Sequence, residues 1–129
     1  MLPVADGSDH GGSLRNPAAY NNVFGLRPSH GRVPWGTDEV FSTSLSVNGP
    51  MARTVPDLAM LLSVQAGYDA RIPTMIRQDP SIFAGPLDTD ISGWRIGWLG
   101  DFRGEIPLEP GIRELCEEGL RVLEGLGAH

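Results

Sequence analysis

Lysine is missing from this 129-residue chain, and all ten of its basic residues are arginine. Any mechanism that needs a primary amine must find it outside these residues. Cysteine is nearly missing too. Cys116 stands alone, which excludes an intrachain disulfide and predicts a reducing, cytoplasmic setting. Positive charge is scarce: ten Arg face sixteen Asp and Glu, for a formal net charge of −6. Without a basic block to grip a phosphate backbone, the composition predicts no nucleic-acid partner. Long apolar runs are also lacking, so no membrane span is predicted. The opening residues, MLPVADGSD, have neither the basic start nor the apolar core of a signal peptide.

Glycine and proline are plentiful, at 17 and 11 residues. They predict short elements separated by many turns, in a globular chain the size of one domain. Met1 to Ala5 reads as a strand leading into a glycine-rich loop. A helix is expected from Pro17, ended by Asn22 or Gly25, and residues 27–44 read as a long loop. The clearest helix covers residues 54–66, TVPDLAMLLSVQA. Thr54 caps it, Asp57 completes a T-x-x-D capping pattern, and Gly67 stops it. Val55, Leu58, Leu61, Leu62 and Gln65 share its core face. Residues 69–93 read as connector, and WRIGWLG, residues 94–100, as a strand buried on both faces. A second helix is expected from about Pro110 to Leu126, with Ile112, Leu115, Cys116, Gly119, Leu120 and Leu123 in its stripe. Strand followed by helix predicts an α/β protein, interrupted before its next strand.

The stretch GSDHGGSLRNP, residues 7–17, concentrates the chemistry. A phosphate-binding P-loop needs a lysine after its last glycine, and here Ser13 and Leu14 follow Gly12. The dinucleotide spacing G-x-G-x-x-G does not fit Gly7, Gly11 and Gly12. In a G-x-S-x-G elbow, Arg15 would stand where the second glycine belongs. Asp6, Asp9 and His10 could approach a metal, yet no second cluster supports a closed site, so no metal is expected. Two readings stay open on the residues alone: a structural glycine loop, which is preferred, and a nucleophile turn. In the second, Ser13 follows two glycines whose N–H groups can converge on one small space. Asp9 and Arg15 sit where an ion pair could brace the loop, while His10 is badly placed to act as base for Ser13.

The longer stretch GSDHGGSLRNPAAYNNVFGLRPSHGRVP resembles the second half of the amidase signature, G-[ST]-D-x-G-G-S-[IVL]-R-x-P-A followed by G-[LF]-[KR]-P-[ST]-x-G-R. GPMARTVPDLAMLL, residues 49–62, resembles that family's next block, and WRIGWLGDF looks like its continuation. The resemblance implies a mixed β-sheet flanked by helices in an αβα sandwich, here one partial domain over residues 1–129, truncated at both ends. It implies an amidase that cleaves carboxamide C–N bonds through a serine acyl-enzyme, with a small-molecule amide as substrate and no cofactor or metal. Ser13 would be the nucleophile. The backbone N–H groups of His10, Gly11 and Gly12, with that of Ser13, would form the oxyanion hole, and Asp9 and Arg15 would brace the loop. The family's other catalytic groups, a bridging serine and a lysine, lie upstream of the matching segment, so the isolated chain is expected to be inactive. Uncovered sheet edges then predict self-association. Two alternatives remain: a glutamine amidotransferase subunit of the same family, and a non-catalytic degenerate domain.

Overall fold

The structure is a computed structural model that describes residues 2–36 and 45–129. Part of the predicted 27–44 loop lies outside the described residues, as does Met1. The chain forms two compact units, one up to Leu87 and one from Asp88 to His129.

The first unit is built on strand β1, Val4–Asp9, helix α1, Arg15–Tyr20, strand β2, Phe24–Gly25, strand β3, Val47–Ala52, and helix α2, Val55–Gln65. The strands form an antiparallel sheet in the order β1-β3-β2, with Val4 opposite Ala52 and Asp9 opposite Val47. Strand β1 thus runs past the predicted Ala5 and delivers Asp9 to the glycine-rich loop. Central strand β3 contains Pro50, an unusual position for a residue without an N–H. Its carbonyl accepts from Leu26 N–H on the β2 side. A residue's N–H and C=O point to the same side of an antiparallel strand, so the missing donor faces β2, beyond that strand's two paired residues. The ladder to β1 loses nothing.

Helix α1 starts two residues before the predicted Pro17, which occupies its third position, still within the first turn where its missing N–H is harmless. It stops at Tyr20 because Asn21 returns both its N–H and its side-chain Nδ2 to the Pro17 carbonyl, and Asn22 turns left-handed at φ 52°. Of the two expected stops, Asn22 is thus the nearer to the helix end, and Gly25 belongs to β2. A Cβ on Gly25 would lie 2.5 Å from that of Ala18, so the glycine lets α1 rest directly on the sheet.

Helix α2 follows its capping pattern: Thr54 Oγ1 accepts from Asp57 N–H at 3.2 Å and also meets the Asp57 carboxylate at 2.7 Å. Leu62 is buried and Leu58, Leu61 and Gln65 are half-buried, whereas Val55 stays exposed at the helix start. Helix α2 packs on β3 and on a 3-10 turn at Pro80–Ala84. Leu62 and the wholly enclosed Leu14 anchor this core, each contributing roughly 1.5–3 kcal/mol by burial.

The second unit contains helix α3, Ile112–Gly125, which ends where Gly127 takes a left-handed φ of 93°. The expectation for residues 94–100 is corrected here. They form no regular strand, and Trp94, Trp98 and Leu99 are exposed. A strand buried on both faces needs a layer packed on each face, and residues 94–96 have instead an edge partner, the segment 127–129. His129 N–H donates to the Trp94 carbonyl and its own carbonyl accepts from Ile96 N–H, both at 2.7 Å. One residue bonded to two residues two apart is the parallel pattern. The stripe of α3 is also less buried than its periodicity suggests: Ile112, Leu115 and Cys116 are exposed, and Leu120 and Leu123 are half-buried. The chain is therefore α/β, with antiparallel pairing in one unit and a parallel pair around α3 in the other.

Candidate active site

The loop that follows β1 is organised around one buried carboxylate. Asp9 has no exposed surface, and an ionised group there must be paired and hydrogen-bonded. Arg15 meets it with two nitrogens, Nε to Oδ2 at 2.9 Å and Nη2 to Oδ1 at 3.1 Å. Arg27 Nη1 reaches Oδ1 at 2.9 Å. Backbone N–H groups complete the set, from Gly12 at 2.8 Å, Leu14 at 3.3 Å and Arg15 at 3.5 Å. The Arg15 side chain lowers the Asp9 pKa most. Burial works against it, and the backbone donors of Gly12, Leu14 and Arg15 add to the lowering, leaving the carboxyl well below its ordinary range. The carboxylate stays charged at neutral pH, and with two arginines on it the cluster carries a net positive charge.

These bonds impose an alternation on the loop. Gly12 and Leu14 turn inward and are buried, while Gly11 and Ser13 are exposed. Gly12 has φ 125°, a backbone shape that favours glycine, and a Cβ there would lie 2.8 Å from Asn16 Nδ2. Ser13 therefore stands outward on a loop pinned from beneath. Among the described residues neither its hydroxyl nor the N–H groups of His10, Gly11 and Ser13 has a hydrogen-bond partner. Gly12 differs: its N–H is donated to Asp9, which removes it from the set of amides facing outward. The His10 ring does not face Ser13 but meets Ser46 Oγ through Nδ1 at 3.0 Å.

Two participants were not singled out from the sequence, Arg27 and Ser46. Arg27 lies in the G-L-R-P segment of the signature resemblance, and that position was its one available signal. Its contact with Asp9 spans 18 residues and depends on the β2–β3 pairing. A hollow of about 280 Å³ beside β1, lined by Leu2, Val4, Met51 and Ala52 among others, includes none of residues 9–15. Among the described residues no three His, Cys, Asp or Glu side chains gather as a metal-ligand set, and no helix is long and apolar enough to cross a membrane.

Such an arrangement can present a hydroxyl and neighbouring amide donors to a carbonyl group. Comparison with known proteins bears on what it belongs to. The amidase family model matches residues 1–129. A glutamyl-tRNA(Gln) amidotransferase subunit from Pseudomonas fluorescens (strain SBW25) is 42% identical over 129 residues, covering 99% of this chain and 26% of that protein. The corresponding subunit from Pseudomonas syringae pv. syringae (strain B728a) is 43% identical with the same coverage. Among solved structures, a bacterial aryl acylamidase belonging to the amidase signature enzymes superposes with a TM-score of 0.85 at 36% identity, over 99% of this chain and 26% of that one. The native peptide amidase from Stenotrophomonas maltophilia gives 0.78 at 31% identity, over 98% and 26%. The chain thus spans about a quarter of the length of the relatives it matches. The expectation of no nucleic-acid partner, drawn from charge, finds no support in the curated relatives, whose names include a tRNA.

Proposed function

Since this chain belongs to the amidase family, we propose that it supplies the nucleophile half of an enzyme that hydrolyses carboxamide C–N bonds, with Ser13 as the nucleophile. The observation that carries this is the outward Ser13, without a hydrogen-bond partner among the described residues, on a loop held by the buried Asp9. Ser13 Oγ attacks the amide carbonyl carbon and its proton passes to a base. The carbonyl oxygen, now negative, is held by outward amides; collapse of the adduct expels the amine, which takes the proton back from the base, and leaves an acyl-serine that water hydrolyses. The free N–H groups of His10, Gly11 and Ser13 suit the oxyanion, whereas that of Gly12 serves the loop. Asp9 and Arg15 hold the shape and take no part in bond making.

The base comes from residues outside this chain, because the family's lysine has no counterpart in these 129 residues. The substrate is a small amide, no cofactor is needed, and a cytoplasmic setting agrees with the lone cysteine.

A second reading rests on the amidotransferase relatives at 42–43% identity. In it the amide is that of glutamine and the ammonia passes to a tRNA-linked acceptor. Grafting tests both. Residues 1–129 replace the matching quarter of the aryl acylamidase in one chimera and of the Pseudomonas fluorescens amidotransferase protein in another. Hydrolysis of an aryl amide, or ammonia release from glutamine, is expected from at least one graft and vanishes in Ser13→Ala. Turnover that survives Ser13→Ala would show that the nucleophile lies elsewhere.

A further inference from the structure

Arg27 touches the loop differently from Arg15. Arg15 binds only the Asp9 side chain, whereas Arg27 Nη1 donates to both the Asp9 carboxylate and the Asp9 main-chain carbonyl. Its Nη2 donates to the Leu45 carbonyl at 3.0 Å. The next residue, Ser46, receives the His10 ring at 3.0 Å. Contacts therefore close a ring, from Arg27 to Leu45 and Ser46, across to His10, back through Asp9 to Arg27.

The main-chain contact has a geometric consequence. The Asp9–His10 peptide is trans, and in a trans peptide the C=O and the following N–H point in opposite directions. Pinning the Asp9 carbonyl toward Arg27 therefore aims the His10 N–H away from it, where it has no partner among the described residues. We propose that Arg27 is a positioning residue for amide hydrolysis, fixing the Asp9–His10 peptide plane so that the His10 N–H is preset as an oxyanion donor. The proposal rests on the reading of Ser13 as nucleophile.

A guanidinium suits the task because its planar fork places two nitrogens at fixed separation, one on each carbonyl. An ammonium offers one nitrogen and cannot span both acceptors in the same geometry. The side chain is 30% exposed and lies on the first residues beyond β2, so it is held by the sheet and not by the loop it orients. A misdirected donor weakens the transition state more than the bound substrate, whose carbonyl carries less charge.

The test uses the full chain within the active graft described above, comparing wild type, Arg27→Gln, Arg27→Lys, Ser13→Ala and a control, Arg71→Gln, whose guanidinium pairs with Asp69 in an exposed turn. Both Arg27 variants are expected to lose about 10- to 100-fold in kcat, with KM within about twofold and the thermal midpoint retained. Arg71→Gln leaves kcat unchanged. An unchanged kcat in Arg27→Gln, with Ser13→Ala inactive, overturns the proposal while sparing the nucleophile reading. If Arg27→Gln loses its folded state, Arg27→Lys decides. A restored midpoint with kcat still depressed supports the two-point clamp. Full recovery of both shows that charge alone suffices, and recovery of neither shows a merely structural role, so each overturns it. A graft that is inactive, or whose activity survives Ser13→Ala, removes the nucleophile reading and this proposal with it.

Discussion

Asp9 and Leu115 stand in opposite relations to the residues around them. Asp9 is charged and wholly enclosed, met by six N–H groups drawn from residues 12, 14, 15 and 27. Leu115 is apolar and 64% exposed, as are Val122 on the same helix at 63% and Leu126 just past its end at 58%. Hydrogen bonding is short-ranged and directional, so a loop and one adjoining strand can satisfy a carboxylate by themselves. Burying the face of a helix is a matter of area and needs another layer laid against it. A chain spanning 26% of its relatives' length can therefore hold a fully satisfied carboxylate in one unit and an exposed apolar face in the other.

The contrast breaks first at Asp9. Asp9→Ala leaves the Arg15 guanidinium and the Gly12 and Leu14 amides facing a space without an acceptor, and takes from Arg27 its carboxylate partner. Its thermal midpoint, followed by calorimetry on the isolated chain, is expected to fall by on the order of 10 °C. A midpoint close to wild type would mean that the loop does not depend on its carboxylate.

Acid sharpens the same point by a smaller effect. The Arg15 guanidinium and the backbone donors hold the Asp9 carboxyl below its ordinary 3.8. Its folded pKa is thus depressed, and the stability it contributes is complete above about pH 4 and drains away as the pH falls further. Asp69, lowered to about 2 mainly by the Arg71 side chain, moves in the same direction from an exposed turn. Urea midpoints should therefore be flat from about pH 7 to 5 and fall by about pH 3. Asp69→Asn should leave most of that fall in place. A midpoint that rises on acidification would reverse the assignment of Asp9 as an ion pair favoured by folding.

The smallest effect is expected on α3. Val122→Glu should change stability by no more than about 0.5 kcal/mol, since the valine is mostly in solvent already. The same substitution should reduce self-association in sedimentation velocity. A loss several times larger would show this face to be covered, and the contrast with Asp9 would disappear.

How much of this could be read beforehand follows the same division. The cap of α2 was legible because Thr54 and Asp57 sit three residues apart and answer to local geometry. Helix α3 was legible in its span, since its 3.6-residue period needs no partner to be seen, but its exposure was not, because a stripe does not say whether anything lies against it. Residues 94–100 failed as a doubly buried strand for that reason. The position of Ser13 came from the motif, while the inward turn of the Gly12 amide follows from an Asp9 contact that spacing alone does not orient. Arg27 was hidden by distance along the chain, since only the return of β2 alongside β3 brings it to Asp9.

The paired glycines of the loop have different histories to record. A Cβ on Gly12 would collide with Asn16 in a backbone shape other residues avoid, whereas one on Gly11 would meet nothing among the described residues. Among the described residues, packing therefore requires glycine at position 12 and leaves position 11 open to a side chain. A lineage that kept only the fold would thus be free to replace Gly11 while still bound to keep Gly12.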